Sequence, residues 1–174
     1  METGGWTKTP ENQAASFHNQ PPDCAMSDNL KDLYQEEVLY HDKNPRNFRA
    51  IPDANRRAEG DNPLCGDHFT VFLKLDKDVI RDVSFQGSGC AISKASASMM
   101  TERLKGKTVA EARSFFTEFQ KMLVTGQGDE EAMGSLYALK GVHQFPMRVK
   151  CAILSWHAML AGLNGEAIVS TEKP

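Results

Sequence analysis

Four cysteines stand at positions 24, 65, 90 and 151 of the 174-residue chain. Three occupy places where a thiol could do chemistry. Cys65 lies in the stretch Asn62-Pro-Leu-Cys-Gly-Asp67, just ahead of a run that alternates like a strand. Cys90 follows Gly87-Ser-Gly89 and opens a segment rich in Ala and Ser. Cys151 comes directly after Arg148-Val-Lys150. Asp67 is two residues beyond Cys65, so strand alternation keeps both side chains on one side. Three thiolates and a carboxylate make the four donors of a tetrahedral Zn2+ site. Thiolate sulfur suits iron or an iron–sulfur cluster equally well. Cys90 ahead of a helix N-terminus, and Cys151 beside two cations, sit where the thiolate is favoured. No Cys-x-x-Cys occurs, so spacing alone leaves a second reading open, in which each thiol is a small core hydrophobe. A Cys65–His68 nucleophile pair is disfavoured, because alternation sends His68 to the face opposite Asp67.

Bringing these residues together is the task of the intervening elements. From His68 the pattern has period two: Phe69, Val71, Leu73 and Leu75 face one way, and His68, Thr70 and Lys74 the other. After the polar turn Asp76-Lys77-Asp78, the residues Val79, Arg81, Val83 and Phe85 alternate again, which predicts a β-hairpin with one apolar face. The start of one strand lies beside the end of its antiparallel partner. Cys65 and Cys90 are thereby expected to be neighbours, with Cys151 added by the last helix. A short strand is expected around 55–60. Helices are expected from Ser27 or Asp28 to just before Asn44-Pro45, after Cys90 to a stop at Gly106, from a Thr108–Glu111 capping box onward, over about 130–140 with a break at Gly141, and from about 147 to 161. Gly87 and Gly89 leave room for a tight turn and a ligand beside Cys90. Met99, Met100 and Trp156 read as packing residues, the last with a wet edge. The fold class is α+β: a small antiparallel sheet packed by helices on one face.

Residues 1–27 are polar and aperiodic and read as a flexible tail containing Cys24. Residues 28–163 form the single domain expected, and 164–174 a C-terminal tail. Hydrophobic residues make up 40% and charged residues 25%, with a formal net charge of −3 and no Lys/Arg block, which argues against a nucleic-acid partner. No apolar run approaches a membrane span, and the first residues resemble neither a signal nor a transit peptide. The expectation is a cytoplasmic protein with unpaired thiols.

Five ordered stretches carry a family resemblance: Asn44-Pro-Arg-Asn47, Asn62–Asp67, Gly87–Glu102, Lys105–Ala112 and Phe145–Trp156. Over about residues 30–162 the chain resembles the U-type iron–sulfur assembly proteins, the NifU/IscU N-terminal-like family, with the SufE/NifU-like fold. IscU-type scaffolds carry a histidine just before the last cysteine, where this chain has Lys150. They also have a shorter stretch between the second and third cysteines. Both departures point to the SufU branch. The resemblance implies a zinc ion held by Cys65, Asp67, Cys90 and Cys151. It implies a pyridoxal-phosphate-dependent cysteine desulfurase of the SufS type as partner, Cys65 as acceptor of its persulfide sulfur, and downstream iron–sulfur assembly proteins as recipients. The activity implied is sulfurtransferase-like, and Arg148 is given a part in docking the partner. Two alternatives remain: a scaffold that builds an iron–sulfur cluster on the same thiols, and a zinc-stabilised interaction module.

Overall fold

The computed structural model describes residues 35–172. The first helix, α1, spans Glu36–Lys43, with extended Gln35 ahead of it. That is the first helix among the described residues; the expected start at Ser27 or Asp28 and the N-terminal tail with Cys24 lie outside them. α1 buries Val38 and His41. The chain then leads to strands β1 (Arg56–Asn62), β2 (Asp67–Asp76) and β3 (Val79–Ser88). β1 pairs with β2 and β2 with β3, both antiparallel.

Two expectations about the sheet are corrected. First, residues Ile168–Ser170 are a fourth strand, β4, which pairs in parallel with β1. The sheet is thus mixed, in the order β3-β2-β1-β4, and the C-terminal segment is not a plain tail. Second, the register of β2 on β3 shifts between Lys74 and Leu75. Lys74 faces Asp82 while Leu75 faces Ile80, so Arg81 is the extra residue of a bulge. Ile80 takes the core position that simple alternation assigns to Arg81, and Arg81 is exposed.

Phe69, Val71, Leu73, Val83 and Phe85 form a fully buried apolar stripe on one sheet face. Burying each such side chain contributes about 1.5–3 kcal/mol relative to leaving it exposed. Against this stripe lie α2 (Ala91–Leu104) and α5 (Pro146–Asn164). α2 is surrounded, and its small side chains are what allow it: Ala95, Ala97, Ser93, Ser96 and Ser98 are all fully buried. The hydroxyls are hydrogen-bonded, as burial demands. Ser96 Oγ donates to Ala152 O (2.5 Å), and Ser98 Oγ accepts from Arg46 N (2.8 Å). Met99 and Met100 fill the core as expected.

α3 (Val109–Thr125) opens with the expected capping box, Glu111 N to Thr108 Oγ1 at 3.1 Å and Thr108 N to Glu111 Oε2 at 2.8 Å. It presents Phe116, Phe119 and Leu123 to Trp156 and the core. Trp156 has no wet edge: it is fully buried, and its indole N–H is taken by Ser96 Oγ at 3.1 Å. A short helix α4 (Glu130–Met133) runs into a 3-10 helix, Gly134–Gln144, so Gly141 does not break it. α5 runs a few residues past the expected 161, and Gly162 lies inside it. A Cβ there would come within 3.1 Å of Leu73, so the glycine lets helix and sheet approach closely. The stop is Gly165, whose φ is +79°.

Candidate metal centre

The centre is assembled from the turn between β1 and β2, the end of β3 and the first turns of α5. Asn62 ends β1, and its carbonyl accepts from both Cys65 N (3.2 Å) and Gly66 N (2.9 Å). Those two bonds fold Pro63–Gly66 into a tight turn, closed by Gly66 at φ +70°. Cys65 sits on that turn and is half-buried, next to Leu64, which is 58% exposed. Asp67, directly after the turn, opens β2 and is fully buried. Its Oδ1 accepts from Cys90 N at 2.8 Å, while its Oδ2 has no hydrogen-bond partner among the described residues. Cys151, in the second turn of α5, is fully buried. Its sulfur lies 3.6 Å from both Asn62 Nδ2 and Met147 O.

The ligand atoms of Cys65, Asp67 and Cys151 all lie within 4.8 Å of one another. Cys90 is not one of this trio but lies beside it: its N–H donates to Asp67 Oδ1, and hydrogen bonding between its thiol and that of Cys151 shifts both pKa values. The hydrogen bond from Cys151 lowers the Cys90 pKa from 9.0 to about 6 against the opposing effect of burial. The same bond, with burial and the Asp67 carboxyl, pushes Cys151 far upward.

The residues fit a metal ion. A buried carboxylate oxygen without a partner is costly unless something cationic meets it. Zinc–sulfur and zinc–oxygen bond lengths place the donors of a tetrahedral ion roughly 3.5–3.8 Å apart, so the trio needs only a small contraction to close on one. The glycines make the space. A Cβ on Gly89 would stand 2.9 Å from Asp67 Oδ1 and 2.5 Å from Ser93 Oγ. A Cβ on Gly87, whose φ is +140°, would overlap the His68 carbonyl at 2.1 Å.

Lys150 does not join the donors; its ammonium pairs with Glu172 beyond β4. Arg148 lies in the first turn of α5, half-buried. His68 turns to the other sheet face, where its Nδ1 is 3.6 Å from Asp61. Sequence reasoning missed Asn62, which reads as a turn residue before Pro63 yet is fully buried against the Cys151 sulfur. It also missed the Lys150–Glu172 pair, since neither residue carries a local signal.

A layered α+β domain with cysteines and an aspartate converging at one sheet end is a small thiol-centred domain able to hold a metal ion. Residues 33–152 match the NifU-like N-terminal domain, and the chain belongs to that family. It is 42% identical over 139 residues to the zinc-dependent sulfurtransferase SufU of Bacillus subtilis, covering 79% of this chain and 94% of that protein. It is 38% identical over 136 residues to the iron-sulfur cluster assembly scaffold protein IscU of Thermotoga maritima, covering 78% and 95%. The crystal structure of FiSufU from Fervidobacterium islandicum AW-1, described as an iron-sulfur cluster assembly scaffold protein for the SUF system, superimposes with a TM-score of 0.72 at 35% identity, over 76% of this chain and 98% of that one. The N-terminal NifU-like protein of Brucella abortus shares the fold, with a TM-score of 0.73 at 22% identity over 79% and 96%.

Proposed function

We propose that this protein serves iron–sulfur cluster biogenesis as a zinc-dependent sulfur acceptor, taking persulfide sulfur from a pyridoxal-phosphate-dependent cysteine desulfurase on Cys65. The observation that carries this reading is an asymmetry within the trio. Asp67 and Cys151 are fully buried, whereas Cys65 reaches solvent on the tip of a tight turn. A partner can therefore touch Cys65 without opening the fold.

Zn2+ would be held by Cys65, Asp67, Cys151 and the adjoining Cys90, and when bound it keeps thiols deprotonated at neutral pH. The transfer itself is thiol–disulfide-type exchange. The Cys65 thiolate attacks the outer sulfur of the desulfurase persulfide. A new S–S bond forms at Cys65, the old S–S bond breaks, and its electron pair leaves on the desulfurase cysteine. No external oxidant or reductant is consumed. Met147 beside the buried thiol and Leu64 beside Cys65 are 48% and 58% exposed, giving the partner apolar surface on residues next to the site. Arg148, in the same turn of α5 as Met147, is assigned to positioning the partner. A reducing cytoplasm would keep these cysteines unpaired between transfers, and downstream assembly proteins would receive the sulfur.

The scaffold reading uses the same thiols, and its support is the likeness to IscU scaffolds. Lys150 speaks against it: a cation paired with Glu172 adds no ligand where an additional one would stabilise a cluster. Anaerobic native mass spectrometry before and after incubation with desulfurase and cysteine separates the two. One zinc per chain followed by a sulfur adduct on Cys65 is the expected result. An iron–sulfur mass without zinc, or unchanged sulfur uptake by Cys65→Ala, refutes it.

A further inference from the structure

We propose that Asn62 is a positioning residue that holds Cys151 as the resident ligand of the centre, leaving Cys65 as the thiol that reacts. This rests on the reading above, that the thiols hold a metal.

Asn62 is fully buried at the last position of β1, directly opposite Asp67 in the register. An asparagine at a strand end before proline ordinarily caps the turn with its own side-chain oxygen. Here it does not. The turn N–H groups of Cys65 and Gly66 go to the Asn62 backbone carbonyl, and the side-chain Oδ1 has no hydrogen-bond partner among the described residues. The side-chain amide instead donates from Nδ2 to Cys151 Sγ at 3.6 Å, across 89 positions of sequence. An unsatisfied buried polar atom costs free energy, so the one side-chain hydrogen bond that Asn62 makes among the described residues is what offsets its burial.

That bond separates the two sulfurs chemically. Met147 O, also 3.6 Å from Cys151 Sγ, can only accept, so it serves a protonated sulfur and not a metal-bound thiolate. The Asn62 N–H can only donate, so it serves the thiolate. An N–H donor stabilises a thiolate and draws charge from it, which makes it a poorer nucleophile. Cys65 has no such side-chain donor among the hydrogen bonds of the described residues. One backbone position, Asn62, thus sets the turn that presents Cys65 and, through its side chain, quiets Cys151.

The test is Co2+ titration of the full chain, with Asn62→Leu and Asn62→Val as variants that lack the donor. Val serves if the Leu variant fails to fold by circular dichroism. Expected are a thiolate-to-cobalt charge-transfer band that moves to longer wavelength in the variant and a cobalt affinity lowered about tenfold or more. If the band does not move, the inference is overturned even when affinity falls, because a merely structural role weakens binding without changing the electronics of the sulfur. If the parent protein shows no charge-transfer band with Co2+, the metal reading itself fails, which is a distinct result.

Discussion

Gly89→Ala is the most telling single change in this protein. Gly89 has no left-handed φ, so alanine brings no backbone strain and the effect is purely one of space. The new Cβ would lie 2.5 Å from Ser93 Oγ, 2.8 Å from Phe69 Cζ and 2.9 Å from Asp67 Oδ1. Phe69 is locked in the core, so Ser93 and Asp67 must give way. Overpacking of this kind costs about 1–3 kcal/mol. Moving Asp67 also strains its bond to Cys90 N, a hydrogen bond to a charged group worth about 1.5–3 kcal/mol. Both penalties arise from one displacement and do not add in full, so about 2–4 kcal/mol is expected. For a chain of this size that lowers the melting temperature by roughly 5–15 °C. Gly66→Ala is the control. Nothing lies within 4 Å of its Cβ, and only its φ of +70° opposes the change, at about 1–2 kcal/mol. Thermal melting by circular dichroism, with zinc content measured alongside, decides the matter. A Gly89→Ala protein that melts within about 2 °C of the parent, or one less affected than Gly66→Ala, refutes the reasoning.

In chelator-treated protein, Cys90 is expected to alkylate with iodoacetamide along a pH profile centred near 6 while Cys151 stays inert, as mapped by peptide mass spectrometry. The sign for stability follows. Cys90 titrates below its ordinary 9.0, so its contribution is full above pH 9.0 and is lost as pH falls through about 6. Cys151, pushed upward, contributes below pH 9.0 and loses that contribution as pH rises beyond it, so the melting temperature of the metal-free protein should rise as pH is raised from about 6 toward 9.0. Thr108→Ala removes the cap of α3 and should cost about 0.5–2 kcal/mol in urea unfolding with no change in zinc content. Deleting residues 166–174 removes β4 and the Glu172 partner of Lys150, exposing the edge of β1. Self-association measured by light scattering should rise, since an uncovered strand edge is a pairing template.

Much of the fold was legible because it is written in local periodicity. The alternation of β2, the Thr108–Glu111 box and the proline at the start of α5 each act within a few residues, and the structure places elements where those signals stand. Fold class likewise followed from the order of hairpin and helices, and the Cys-x-Asp pair pointed to metal chemistry through residue type alone. What the chain order could not reveal depends on partners far away in sequence. The three residues of β4 have no pattern of their own and become a strand only because the edge of β1 offers hydrogen bonds. Arg81 and Ile80 exchange roles because a bulge shifts the register, and Gly162 continues a helix because Leu73 leaves no room for a larger side chain. The same holds at the centre. Sequence names the cysteines, but it takes the tertiary structure to bury Cys151, leave Cys65 on a turn, and aim a single asparagine amide at one sulfur and not the other. Local chemistry selects elements, whereas burial and long-range hydrogen bonds decide which of several equivalent thiols is enclosed and which reaches the surface.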